Sequence, residues 1–108
     1  MRQSKTFVID SSEVQGEGSF VKVTSNIKWK EVRTFQKMST DERGDVDNLM
    51  LGMRTIAGMI IDWNWTDEEG NPLPVPAKDP DILDDLTQEE MTWLFENVQD
   101  KLKVNLGN

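Results

Sequence analysis

The chain has 108 residues, 20 of them acidic and 12 basic, for a formal charge of -8; that length holds one hydrophobic core but is short for two. The charge disfavours direct contact with nucleic-acid backbones and with anionic membranes. There is no Cys and no His, so disulfides, thiol chemistry and the commonest general base and zinc ligand are all excluded.

The pattern predicts a single α+β domain over 1–108. It has a mobile, polar Met1–Lys5, a β-rich region over 6–36, and a helical region over 45–104 interrupted by a loop over 62–80. Phe7-Val8-Ile9 reads as a strand closed by Asp10-Ser11-Ser12. Gly16-Glu17-Gly18 marks a turn before a second β-type run, Phe20 to Thr24, and Ser25-Asn26 marks another. Ile27-Lys28-Trp29-Lys30 alternates apolar and polar, which predicts a third strand with Ile27 and Trp29 on one face; Val32 falls out of that phase, as at a bulge or face switch.

Thr40 or Asp41 can cap an early turn, and Asp45 or Asp47 can start the main helix. There Val46, Leu49, Met50, Met53, Ile56, Ala57 and Ile60 form one apolar stripe at helical spacing. Leu51 and Met59 lie off it, so the helix is either sandwiched in the fold or carries a second adhesive face. Gly52 and Gly58 each cost about 1 kcal/mol of helix propensity relative to Ala, which predicts close packing against a neighbour.

Four prolines between Pro72 and Pro80 forbid a helix over the following loop. Trp63, Trp65, Leu73 and Pro74 are the expected anchors that pin it to the core, since an unpinned loop of this length is costly to order. Leu73-Pro74-Val75-Pro76 has no nearby basic residue, which favours internal packing over recognition by a proline-binding domain. Asp79-Pro80 predicts a short helical turn with Asp79 as N-cap. Thr87-Gln88-Glu89-Glu90 is a capping box opening the last helix, where Met91, Leu94, Phe95, Val98 and Leu102 form the buried stripe. Trp93 lies on the other side of that helix and is either covered by the Trp63/Pro loop or offered to a partner, where Trp is a frequent hot spot.

No catalytic constellation emerges. There is no G-x-S-x-G elbow and no phosphate-binding glycine fingerprint; Gly16-Glu17-Gly18 lacks the third glycine. An EF-hand loop starting at Asp62 would need Gly where Asp67 stands and Glu where Leu73 stands. Asp67-Glu68-Glu69 and Asp81 with Asp84-Asp85 read as solvated turns and helix-start acids, not as a metal site. The expectation is a protein-binding chain with no enzymatic activity, cofactor or metal, and with Leu51, Met59 and Trp93 as candidate partner contacts. The longest apolar stretch, around Leu49–Ile61, contains Arg54 and is too short to span a bilayer. No basic-then-apolar leader opens the sequence, so a soluble, intracellular protein is expected.

Ile60-Ile61-Asp62-Trp63-Asn64, followed by Asp67-Glu68-Glu69-Gly70-Asn71-Pro72-Leu73-Pro74, resembles the small tail-assembly chaperones of tailed bacteriophages, encoded beside the tape-measure protein. Trp29, Val32 and Arg33 match the family's early Trp region, Glu42-Arg43 the start of its helical part, and Leu83, Leu86 and Leu94 its terminal helices, so the likeness runs over residues 27–102. It implies a factor in the host cytoplasm that shields the hydrophobic tape-measure chain or helps tail-tube subunits gather around it, with self-association left open. Two alternatives stand beside it: a structural component of the virion, in the tail or head–tail connector, and an acidic inhibitor mimicking nucleic acid. Solubility accounts for the acidity as well as such mimicry does.

Overall fold

A computed structural model describes the backbone of residues 5–25 and 27–106, and their side chains as far as Val98. Strands β1 (Thr6–Asp10) and β2 (Phe20–Thr24) pair antiparallel, with Phe7 opposite Val23 and Ile9 opposite Val21. Alternation along β1 half-buries Phe7 and Ile9 and leaves Val8 exposed. Between the two strands runs a single helical turn, α1 (Ser12–Gln15), opened by the Asp10 carboxylate accepting the Ser12 amide N–H. The chain then reverses through Gly16 and Gly18, whose φ of 95° and 87° favours glycine.

The predicted third strand over Ile27–Lys30 is not a strand. Helix α2 (Trp29–Met38) starts inside it, and the out-of-phase Val32 belongs to a helical edge with Phe35 and Ser39 at i, i+3 and i+7. Four alternating residues are too few to separate a period of 2 from one of 3.6. The third strand lies instead at Ile60–Trp63, β3, which pairs antiparallel with β2 and makes β2 central in the order β1-β2-β3. A register shift beside Lys22/Val23 lets Ile60 and Trp63, three residues apart, both turn inward.

Helix α3 (Asn48–Met59) is capped by Asp47, whose carboxylate accepts the Met50 amide N–H at 3.0 Å. It runs straight into β3 with no Gly or Pro between them. The predicted stripe therefore splits. Ile56, Ala57 and Ile60 are in the core, whereas Val46, Leu49 and Met50 are exposed, Leu49 by 66%. The C-terminal half of α3 is sandwiched; its first turns extend past the core. The two glycines mark the flanking contacts. A Cβ on Gly58 would stand 2.8 Å from the Phe35 ring of α2, and one on Gly52 would stand 3.4 Å from the Phe95 ring.

A 3₁₀ helix (Pro80–Asp85) buries Ile82 and Leu83, with Pro80 in its first turn; the predicted N-cap Asp79 makes no side-chain capping bond. Helix α4 (Gln88–Leu106) opens with the expected capping box, Thr87 Oγ1 accepting the Glu90 amide and Glu90 accepting the Thr87 amide. Its stripe contributes Leu94 and Val98 to the core, while Leu102, like the turn residue Asn26 and the first four residues of the expected mobile Met1–Lys5, lies outside the described side chains. Among the described residues, no helix is long and apolar enough to cross a membrane.

Candidate functional site

The segment after β3 is built around tryptophan. Trp63 and Trp65 stack with ring centroids 4.6 Å apart and planes 9° from parallel, and Trp93 leans on Trp65 at 6.0 Å. Each indole N–H of the stacked pair finds an acceptor. Trp63 Nε1 donates to the Leu73 carbonyl, and Trp65 Nε1 donates to Ser11 Oγ, which in turn donates to Ser19 Oγ. These pairings matter because a buried N–H without a partner costs about 1–3 kcal/mol. Asn64 ties the same segment to β2, accepting from the Phe20 amide and donating to the Gly18 carbonyl.

Gln15 joins three elements. Its side chain accepts from the Thr66 amide, donates to the Thr66 carbonyl, and donates to the Glu90 carboxylate. The loop beyond folds back on itself, with the Leu73 amide donating to the Trp65 carbonyl and Gly70 at φ 84°. The Asp67 carboxylate accepts from the Asn71 and Glu69 amides. The Asn71 amide is the main reason its carboxyl is held below the usual carboxylate range. Asp67 is thus spent on its own loop, and among the described residues no cluster of three or more acidic side chains is arranged to hold a metal.

The predicted loop anchors are partly corrected. Trp63 and Trp65 are buried and Leu73 packs on the core, but Pro74 is exposed and Pro76 is the buried proline. The predicted contact residues fare differently. Met59 is 1% exposed and belongs to the core, because α3 is sandwiched at that level. Trp93 is 6% exposed, covered by Trp65 of the loop. Leu51 is half-buried; it sits seven residues from Gly58 and so on the same helix face, over which Phe35 of α2 lies.

Three surface features passed unnoticed in the sequence. The first is an open groove of about 530 Å³ between α1 and the start of α4, lined by Glu13, Val14, Gln88, Glu89, Thr92, Trp93 and Glu96. A neighbouring hollow of about 520 Å³ shares Val14 and Glu89 and adds Asp67, Glu68, Asp85 and Glu90. Among the described residues, neither is lined by a Lys or Arg. Residues 62–98 hold eleven carboxylates and one lysine, a net -10, more than the whole chain's -8.

The second feature is α2. No side chain from Trp29 to Met38 is fully buried. Lys28, Lys30, Arg33 and Lys37 are exposed, with Glu31 the one acid among them, and Trp29 is 72% exposed. The third is the corner where α2 passes to α3, tied by the Asp47 amide donating to the Ser39 carbonyl. It exposes Met38, Val46, Leu49 and Met50. Where α3 meets the 3₁₀ helix, Arg54 Nε is buried without a partner beside a recess of about 60 Å³, room for little more than water. No family model, curated protein or solved structure matches the chain.

Proposed function

We propose that the chain is a non-enzymatic protein-binding factor of bacteriophage tail assembly that chaperones the hydrophobic tape-measure protein in the host cytoplasm. The observation that carries the reading is the apolar corner between α2 and α3, where Met38, Val46, Leu49 and Met50 are all exposed. A chaperone for a long hydrophobic chain needs an apolar surface that adapts to many side chains, and the unbranched, polarizable Met suits that use. The surrounding acidity keeps such a complex dispersed. The Asp62-Trp63-Asn64 and Gly70-Asn71-Pro72-Leu73-Pro74 segments add the resemblance to the tape-measure-associated proteins.

The test is co-expression with a tape-measure protein encoded beside the chain's own gene. The wild type is expected to raise that protein's soluble yield and to co-purify with it. Leu49→Asp with Met50→Asp, both at exposed positions, is expected to abolish both effects while the thermal unfolding midpoint stays near wild type. No co-purification of the wild type would overturn the reading.

A further inference from the structure

We infer that the chain docks on a second copy of itself head to tail, the outward face of α2 in one copy seating in the acidic groove between α1 and α4 of the next. Glu31 and Lys37 suit the two ends of α2, but the rest of its charge pattern is unfavourable for the helix alone. Lys28 and Lys30 stand at its N-terminal end, where the macrodipole disfavours cations, and Lys28 makes no side-chain cap. Arg33 and Lys37 form a like-charged i, i+4 pair, which is destabilising in an isolated helix. A carboxylate-lined surface laid over this face turns each of those local costs into an attraction.

The groove supplies that surface. Glu13, Glu89 and Glu96 are exposed along it, and Val14 and the edge of Trp93 give it an apolar floor. Its volume of about 530 Å³ admits an indole side chain, and Trp29 is the large aromatic residue left exposed. Trp is enriched where interfaces concentrate their binding energy. The match is therefore one of charge and of shape: a cationic, Trp-tipped helix and an anionic slot with an apolar base.

The two surfaces do not face each other within one copy. Helix α2 meets α3 through Phe35 and Gly58, and Phe95 of α4 meets α3 at Gly52, about 120° further round that helix. Trp93, two residues before Phe95, points to the opposite side of α4 and so away from α3. Contact between them requires two molecules and is heterologous, so successive copies close into a ring or continue as a filament. The net charge of -8 opposes this at long range; at physiological ionic strength the Debye length of about 8 Å screens that repulsion while leaving contact pairs effective.

The test uses two variants of the full chain. W29S/K30Q/R33Q/K37Q neutralises α2 and keeps the groove, and E13K/E89K/E96K reverses the groove and keeps α2. All seven positions are exposed, and circular dichroism checks that both variants fold. By sedimentation velocity at physiological ionic strength, the wild type is expected to grow beyond monomer as its concentration rises. Each variant alone should stay monomeric, and the mixture should form a one-to-one heterodimer and stop there. Trp29→Ala alone should weaken wild-type association about tenfold or more. A wild type monomeric at millimolar concentration overturns the proposal, as does a variant that still self-associates or a mixture that forms no heterodimer. A monomeric wild type whose α2 face instead binds anionic vesicles would do so too. The docking stands or falls independently of the tail-assembly reading, whose test concerns a different surface and a different partner.

Discussion

Three of the four tryptophans and the fourth occupy opposite kinds of place. Trp63, Trp65 and Trp93 lie buried against one another where β3, the proline loop and α4 converge, and the stacked pair's N–H groups are both satisfied. Trp29 stands at the tip of α2, 72% exposed among lysines. The first arrangement makes tertiary structure out of a segment with little regular secondary structure of its own. The second adds almost nothing to the fold. Residue type therefore does not say what a tryptophan does here; the elements that surround it do.

The largest expected effect lies in the buried cluster. Trp65→Ala removes the ring on which both Trp63 and Trp93 pack and should cost about 3–5 kcal/mol, enough to unfold a domain of marginal stability. Denaturant unfolding followed by circular dichroism reads this directly. A loss under about 1 kcal/mol would show that the proline loop is held by other contacts.

Next comes the hydroxyl relay behind the same ring. Ser11→Ala leaves the buried Trp65 N–H without an acceptor, and the expected loss is about 1–3 kcal/mol. Trp65→Phe in the Ser11→Ala background removes the orphaned donor, so the double mutant should lose less than the sum of the two single changes. Strict additivity would mean that the Ser11 hydroxyl is not what Trp65 depends on.

How much of this was legible in the sequence follows from the range of each interaction. The capping box at Thr87 and Glu90, the strands at Phe7–Ile9 and Phe20–Thr24, and the Gly70 turn are signalled by residues within a few positions of one another. The glycines at 52 and 58 announced close packing, but Phe95 and Phe35 as the neighbours depend on where two other helices come to rest. Met59 lies off the apolar stripe of the sequence, but the core uses that stripe only along its last half, where the helix is buried on several sides. Helix α2 is hidden by the four-residue alternation of Ile27–Lys30, inside which the helix begins. The acidic groove was illegible for a different reason: Glu13 and Glu89 are 76 positions apart in the chain, and tertiary links such as those of Gln15 to Thr66 and Glu90 bring their elements together.

A smaller effect is expected at the seam between α2 and α3. Gly58→Ala gains about 1 kcal/mol of helix propensity but drives a methyl group into the Phe35 ring at 2.8 Å. The two terms oppose each other, so global stability should move by about 1 kcal/mol or less. Because α2 has no fully buried side chain, the ring yields by loosening the helix. Hydrogen exchange should therefore speed up across residues 29–38 and stay unchanged in α4. Faster exchange in both helices would mean that α2 is part of the main cooperative unit.

The smallest expected change in stability is at Trp29. Its ring contributes little to the core, so Trp29→Ala should shift the unfolding free energy by no more than about 0.5 kcal/mol, against a loss several times larger for any tryptophan of the buried cluster. Denaturant unfolding at a concentration low enough to keep the chain monomeric isolates that term. A loss of about 2 kcal/mol or more would mean that Trp29 is held by the fold, and the contrast between the two tryptophan environments would collapse. If stability holds while self-association weakens, the exposed ring is reserved for contact between molecules. The lysines around it, unfavourable for the helix, then share its purpose.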